Sequence, residues 1–372
     1  MVAKQLLVAA SFVVLVGRAR AQPAPPSAQP DDEAASTAPG NTDPVPIPVP
    51  IPVPKNRRAA TGTFELGAGY NTDDGFSAVA DVTQSDLFGT GKLLSLDAMI
   101  NERAERFEVR YVDPELAGTN FQLDATLYSD LRKYNGFDRA AAGTSVQLSH
   151  MIAPHVKAYA GYRIENVEMQ PDDPTVSELP SGTYNVAALR AGVEYNTLDQ
   201  PFLATHGTRV GSYVEVAAPE LGSDVTMVHT KSYAETHHAL GPMILHVGGS
   251  FETVSGDGLP EGELLHFDGS SQLRGFAPNA FGPRDASGRV IGGTMAFYGH
   301  TDLELPLSRR LGISAVGFVD GGGLFGATAG ELGASTGLGF VWRSPIGPIG
   351  AYWAWPSLHD SPKFIFGVGT TF

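Results

Sequence analysis

Residues 267–284 read FDGSSQLRGFAPNAFGPR. The stretch lies between two runs of strand character and is too long for a hairpin turn. Gly269, Gly275 and Gly282 permit tight backbone paths, and Pro278 and Pro283 cannot continue a strand ladder. One cation, Arg274, sits near the centre, with Leu273 before it and Gly275 and Phe276 after it. A guanidinium among apolar neighbours in a constrained loop is costly to bury unless carboxylates meet it. The acids on the strands that follow, Glu304 and Asp320, are expected to be those partners, with the loop folded back into an enclosed interior. The alternative is a surface loop whose Arg is solvated, as a lone Arg generally is.

Working outward, residues 61–372 have one texture. About sixteen runs of roughly ten residues alternate apolar with small or polar side chains, and turn residues separate them. They begin near Gly62, Gly75, Gly91, Ala104, Asn120, Asp138, His155, Thr183, Gly207, Val225, Met243, Gly292, Leu311, Glu331, Ile346 and Lys363. In Ala296–Glu304, Phe297, Gly299, Thr301 and Leu303 share one face, and Tyr298, His300, Asp302 and Glu304 the other. In Leu311–Asp320, Ile313, Ala315, Gly317 and Val319 oppose Ser314, Val316, Phe318 and Asp320. Apolar side chains turned to lipid and polar ones turned inward suit a closed cylinder, which leaves no unpaired backbone in the bilayer. A soluble sandwich also alternates, but so long an uninterrupted antiparallel series would be unusual for one. The expected fold is therefore all-β, a sixteen-stranded antiparallel transmembrane barrel with an inward-folded loop.

The start of the chain agrees. Residues 1–21 read as a signal peptide: Lys4 is the positive start, Leu6–Gly17 the apolar segment, and Ala19-Arg20-Ala21 the cleavage site. Residues 22–60 read as a disordered, Pro-rich periplasmic linker. Within it PVPIPVPIPVP (residues 44–54) should form a polyproline-II rod of roughly 30 Å. The chain has no Cys, which excludes disulfides and thiolate metal sites. A formal net charge of -15 argues against nucleic acid as a partner.

With these residues in view, the chain resembles the Omp85 superfamily, the BamA/TamA-type outer-membrane barrels of the bacterial surface antigen D15 type. Leu273-Arg274-Gly275-Phe276 resembles the family's (V/L)RGF loop motif. Gly317-Phe318-Val319-Asp320-Gly321-Gly322 resembles the strand motif that receives that loop, and Leu303-Glu304-Leu305-Pro306 the strand before it. Trp342–Ile349 resembles the S-P-x-G-P turn, Phe364–Phe372 the closing strand, and Leu87-Phe88-Gly89-Thr90-Gly91 an early hairpin. The resemblance implies that Glu304, Phe318, Asp320 and Gly322 line the lumen where the loop docks. It implies a bacterial outer-membrane location and a role in assembly, insertion or translocation of proteins or lipids. The route would be a seam between first and last strands: Gly62 to Tyr70 on one side, and Phe364, Gly367, Gly369 and Phe372 on the other. The implied partners are outer-membrane lipids, lipopolysaccharide among them, and client outer-membrane proteins. A homo-oligomer is left open. The segment before the first strand is too short and too Pro-rich for a POTRA module, so the likeness is to a POTRA-less, N-terminally truncated subgroup. A passive channel or structural barrel is the alternative reading.

Other chemistry is weakly supported. A barrel lipase would need a nucleophile and base; Ser270, His237, His238, His246 and His266 are candidates, without a nucleophile elbow. His237 and His238 are adjacent and so face opposite sides of a strand, which disfavours a shared metal. Asp73-Asp74-Gly75 reads as a hairpin turn before a Ca²⁺ site. Gly89-Thr90-Gly91-Lys92 lacks the helix a phosphate loop requires. The expectation is no enzyme, no cofactor and no metal.

Overall fold

The structure, a computed structural model, describes residues 62–71, 75–173, 181–200, 204–308, 310–326, 329–344, 347–356 and 361–368. The signal peptide, the Pro-rich linker, and Gly369 and Phe372 of the closing segment lie outside these residues.

Sixteen strands follow one another: β1 (Gly62–Asn71), β2 (Gly75–Gln84), β3 (Leu93–Ile100), β4 (Ala104–Asp113), β5 (Phe121–Lys133), β6 (Phe137–Ala153), β7 (Val156–Pro171), β8 (Gly182–Asn196), β9 (Gly207–Ala217), β10 (Met227–Leu240), β11 (Met243–Ser255), β12 (Met295–Ser308), β13 (Ile313–Phe325), β14 (Gly330–Ser344), β15 (Gly347–Trp355) and β16 (Lys363–Val368). Each pairs antiparallel with the next, and β1 meets β16 to close the barrel. The onsets read from sequence fall within about three residues of these. The widest gap is at β12, because Gly293, expected inside that strand, instead pairs with Leu265 in a bridge belonging to the loop.

The period-two pattern explains the wall. Along β8, Leu189, Val193 and Tyr195 are exposed on the outside, while the intervening Glu194 is buried towards the lumen. The same holds on β13, where Val319 is exposed outside and Phe318 and Asp320 are buried inside. The outward side chains are large and apolar because they meet lipid instead of water. One end of the barrel carries tight connections, such as Pro154-His155 between β6 and β7 and Gly241-Pro242 between β10 and β11. Short turns mark the periplasmic end of such barrels. The opposite end carries the longest connection, residues 256–294, which folds into the lumen.

Apolar side chains also collect inside, where they receive the loop. Phe137, Val167, Met169 and Val186 of the wall pack with Leu259 and Leu264 of the loop. A second cluster joins Phe267, Leu273 and Phe281 of the loop to Ala296 and Leu324 of the wall.

Candidate functional site

The loop is compact before it is anchored. Gln272 and Leu273 donate their backbone N–H groups to the Gly269 carbonyl, both at 3.0 Å, which winds the tip into a turn. The rings of Phe267 and Phe281 lie 4.0 Å apart, with Phe276 edge-on to both. Leu273 and Phe267 are almost completely buried. This private core fixes the backbone on either side of Arg274.

Arg274 is 3% exposed and fully met by acids. Its Nε donates to Asp320 Oδ2 at 2.8 Å and its Nη2 to Asp320 Oδ1 at 2.5 Å, a bidentate fork. Its backbone N–H donates to the same carboxylate at 3.0 Å. The other side of the guanidinium donates to Asp302, Nη1 to Oδ2 at 3.1 Å and Nη2 to Oδ1 at 2.5 Å. Its flat face covers the Phe318 ring, 3.7 Å from the centroid, with Tyr352 at 5.6 Å. Planarity, two forks and stacking together are what Arg offers and Lys cannot.

The second acid corrects the sequence reading: Asp302, and not Glu304, completes the pair with Asp320. In the β12–β13 register Asp302 faces Phe318 and Glu304 faces Val316, so Glu304 sits one full pleat repeat further from Asp320 towards the periplasmic end. Glu304 is engaged there by Arg343, at 2.6 and 3.0 Å, and by His246 Nε2 at 3.1 Å. The remaining docking positions serve close approach. Gly275 has φ 92°, and a Cβ there would come within 2.8 Å of Ala354 Cβ. At Gly322 a Cβ would meet Tyr298 Cδ1 at 2.6 Å, so the missing side chain makes room for the ring that packs beside Phe267.

A second anchor had no counterpart in the sequence reading. Glu263, on the incoming limb of the loop, accepts from Arg139 of β6 at 2.9 Å and from the Tyr184 hydroxyl of β8 at 2.9 Å. Arg139 also donates to Glu165 of β7 at 2.9 Å. Beyond it runs a belt of pairs: Arg163 with Glu165 and Glu215, and Arg190 with Glu215. Asp268 pairs with Arg132 of β5 at 2.7 Å. On the returning limb Arg289 pairs with Glu261 at 2.8 Å and donates to the Asn135 carbonyl at 3.0 Å. The loop thus ties the β5–β8 wall to the β12–β13 wall across the lumen.

The remaining candidates are scattered. His237 and His246 share a lumenal contact, Nδ1 to Nδ1 at 2.6 Å, while His238 bonds Thr236 on the other face. Ser270 accepts from the Gly275 N–H inside the loop tip, and His266 Nε2 donates to the Glu261 carbonyl at 2.9 Å. Lys92 reaches Asp113 at 3.0 Å at the foot of a hairpin. Asp73 and Asp74 lie outside the described residues. At the seam, Tyr70 and Phe364 point to lipid, 47% and 50% exposed, and Gly367 lies opposite Asn71. That is the one described β1–β16 pair, although all ten residues of β1 pair with β2.

A closed sixteen-stranded barrel with a lumen-docked loop held by an Arg–carboxylate cluster defines a class, the outer-membrane barrels. The Omp85 superfamily domain matches residues 86–372, and the chain belongs to that superfamily. It is 23% identical over 338 residues to the outer membrane protein assembly factor BamA of Nitratidesulfovibrio vulgaris, which covers 86% of this chain and 43% of that protein. It is 24% identical over 312 residues to BamA of Neorickettsia risticii, covering 78% of this chain and 42% of the relative. The chain therefore spans less than half the length of these curated relatives. Among solved structures, BamA of Haemophilus ducreyi lacking POTRA domains 1–3 superposes with a TM-score of 0.72 at 20% identity, over 83% of this chain and 70% of that one. CdiB of Acinetobacter baumannii follows at 0.60 and 12% identity, over 82% of this chain and 59% of that one. These likenesses fix the barrel fold and, with the family, a bacterial outer-membrane location.

Proposed function

We propose that this barrel assists insertion or translocation of polypeptides at the outer membrane by parting its β1–β16 seam. The observation that carries the reading is the topology of that seam: β1 with β16 is the one junction of the barrel whose two strands are not consecutive in the chain. Parting it would free a strand edge, and an edge with unmatched N–H and C=O groups is a template for a further strand. Membrane lipids and unfolded outer-membrane strands are the partners such an edge would take. The loop cluster would act as the fixed frame against which the seam moves. The names of the BamA relatives support assembly as the broader activity.

The test is a disulfide across the seam in a chain that has no other Cys. Asn71→Cys with Gly367→Cys, oxidised, should block client insertion in proteoliposomes, and reduction should restore it. Undiminished insertion with the seam locked would remove this reading and leave a structural barrel.

A further inference from the structure

Two periplasmic turns of this barrel have the same backbone and different tips. Asp86-Leu87-Phe88-Gly89-Thr90 joins β2 to β3, and Glu115-Leu116-Ala117-Gly118-Thr119 joins β4 to β5. In both, the third residue is left-handed, Phe88 at φ 53° and Ala117 at φ 52°, and the Gly after it is left-handed too, at 75° and 74°. In both, the Thr hydroxyl donates to the Leu carbonyl, at 2.6 and 2.7 Å. In both, the Gly N–H donates to the acidic residue's carbonyl, at 3.2 and 2.9 Å.

The tip of one turn holds a large aromatic in a conformation that disfavours any side chain beyond Gly, Asn or Asp. Phe88 is also 93% exposed, the highest value among the large apolar side chains described. Nothing in the described fold covers the turn: a Cβ built at Gly89 or Gly91 would meet no atom within 4 Å. An exposed apolar side chain is ordinary by itself. One that also takes a strained backbone, on a turn whose twin manages with Ala, points to a surrounding other than water.

We infer that Phe88 is an anchor inserted into the periplasmic leaflet of the outer membrane, with phospholipid as its partner. Continuity with the lipid-facing wall carries the choice of partner. Val82 on β2 and Leu96 on β3 are exposed on the outer face, 40% and 46%, and the turn continues these two strands past their periplasmic ends. Aromatic side chains favour this interfacial zone of transmembrane barrels. The turn belongs to the hairpin next to β1, so its anchor would hold the seam-side wall at a fixed depth in the bilayer.

The absence of native Cys makes the test direct. A nitroxide is attached to Phe88→Cys in the full chain, reconstituted into phosphatidylethanolamine–phosphatidylglycerol vesicles, and its collisions with oxygen and with a water-soluble nickel chelate are compared. A label at Ala286→Cys, exposed at the opposite mouth, reports the aqueous value. The expected result is an oxygen-to-nickel collision ratio at 88 at least twofold above that at 286. A ratio equal to that at 286 would put the turn in water and overturn the inference. Suppression of both collision rates would show that protein, and not lipid, covers the tip, and would overturn it equally. A heat-modifiable band for each labelled protein shows that the barrel has folded, so failure to fold is not mistaken for either outcome.

Discussion

Two walls of the lumen handle charge in opposite ways. From β6 to β9, cations and anions alternate: Arg139, Arg163 and Arg190 each hold a carboxylate, and Arg190 lies directly across from Glu215. From β2 to β4 the register puts Asp81 opposite Asp97 and Asp97 opposite Glu108, acid facing acid across three strands. Opposite charges across a pair stabilise a sheet, and like charges loosen it. The loop adds to the first wall through Glu263 and to the adjoining β5 through Asp268, and makes no described hydrogen bond or ion pair to the second. The loop's described ion pairs and hydrogen bonds to the wall thus reach β5, β6, β8, β12, β13 and β14, and none of those described reaches β1 to β4.

The contrast can be broken most severely at the loop's centre. Arg274→Ala would leave Asp320 buried, and Asp302 half-buried, without their cation, which costs about 3–5 kcal/mol. The heat-modification midpoint of the folded band should fall steeply, and Arg274→Lys should recover only part, lacking the fork and the stacking on Phe318. An unchanged midpoint for Arg274→Ala would mean that the loop's apolar core and its Glu263, Asp268 and Arg289 anchors hold it without the cation.

Acid should act next. Burial first, and then the neighbouring cations of Arg132, Arg289 and Arg139, push His266 down to about 4. Its unfolded value is near 6.5. Between those limits the unfolded chain takes up a proton that the folded loop refuses, so stability present above pH 6.5 is lost as pH falls towards 4. The slope is at most about 1.4 kcal/mol per pH unit. His266→Gln should flatten the midpoint-against-pH curve in that window; a slope of the same size in the variant would assign it to other groups.

Glu263→Gln sharpens the comparison from the braced side. It removes one charge from Arg139, which keeps Glu165, so a loss of about 1.5–3 kcal/mol is expected, below that of Arg274→Ala. Protease cleavage of the loop should rise with it. The smallest effect belongs to the other wall. Asp81→Asn relieves a like-charge neighbour and should stabilise the barrel by about 0.2–1 kcal/mol. Destabilisation by that variant would show that the hydrogen bonds Asp81 accepts from the Thr83 hydroxyl, at 3.0 and 3.2 Å, outweigh the repulsion.

Much of this was legible in the sequence. The period of two, the spacing of turns and the lone Arg274 between apolar neighbours gave the barrel, its strand count and the inward loop. They also put Asp302 on the lumenal face of β12. What they did not give was the stagger between β12 and β13, because the last residues of β12 carry an irregularity between Pro306 and Ser308. Without that stagger Glu304 and Asp302 cannot be told apart by pattern alone, and the motif pointed to the wrong one. Glu263 was missed for a different reason. Its partners Arg139 and Tyr184 are 124 and 79 residues away in sequence, and nothing local marks the pairing. A signal was nonetheless present, since Arg139, Arg163 and Arg190 all fall on faces that alternation assigns to the lumen, where each needs an acid.

One feature of the topology sets what opening this barrel involves. Every strand pairing except β1 with β16 is a hairpin between neighbours in sequence. Parting that junction would uncurl the cylinder towards a sheet and leave every hairpin intact. What resists is the loop: a strut laid across the bore, fastened to β5, β6 and β8 on one side and to β12, β13 and β14 on the other. It clamps the arc between those strands and leaves the remainder as the flap, so the width of any gap is set by how far that free arc can swing about the strut.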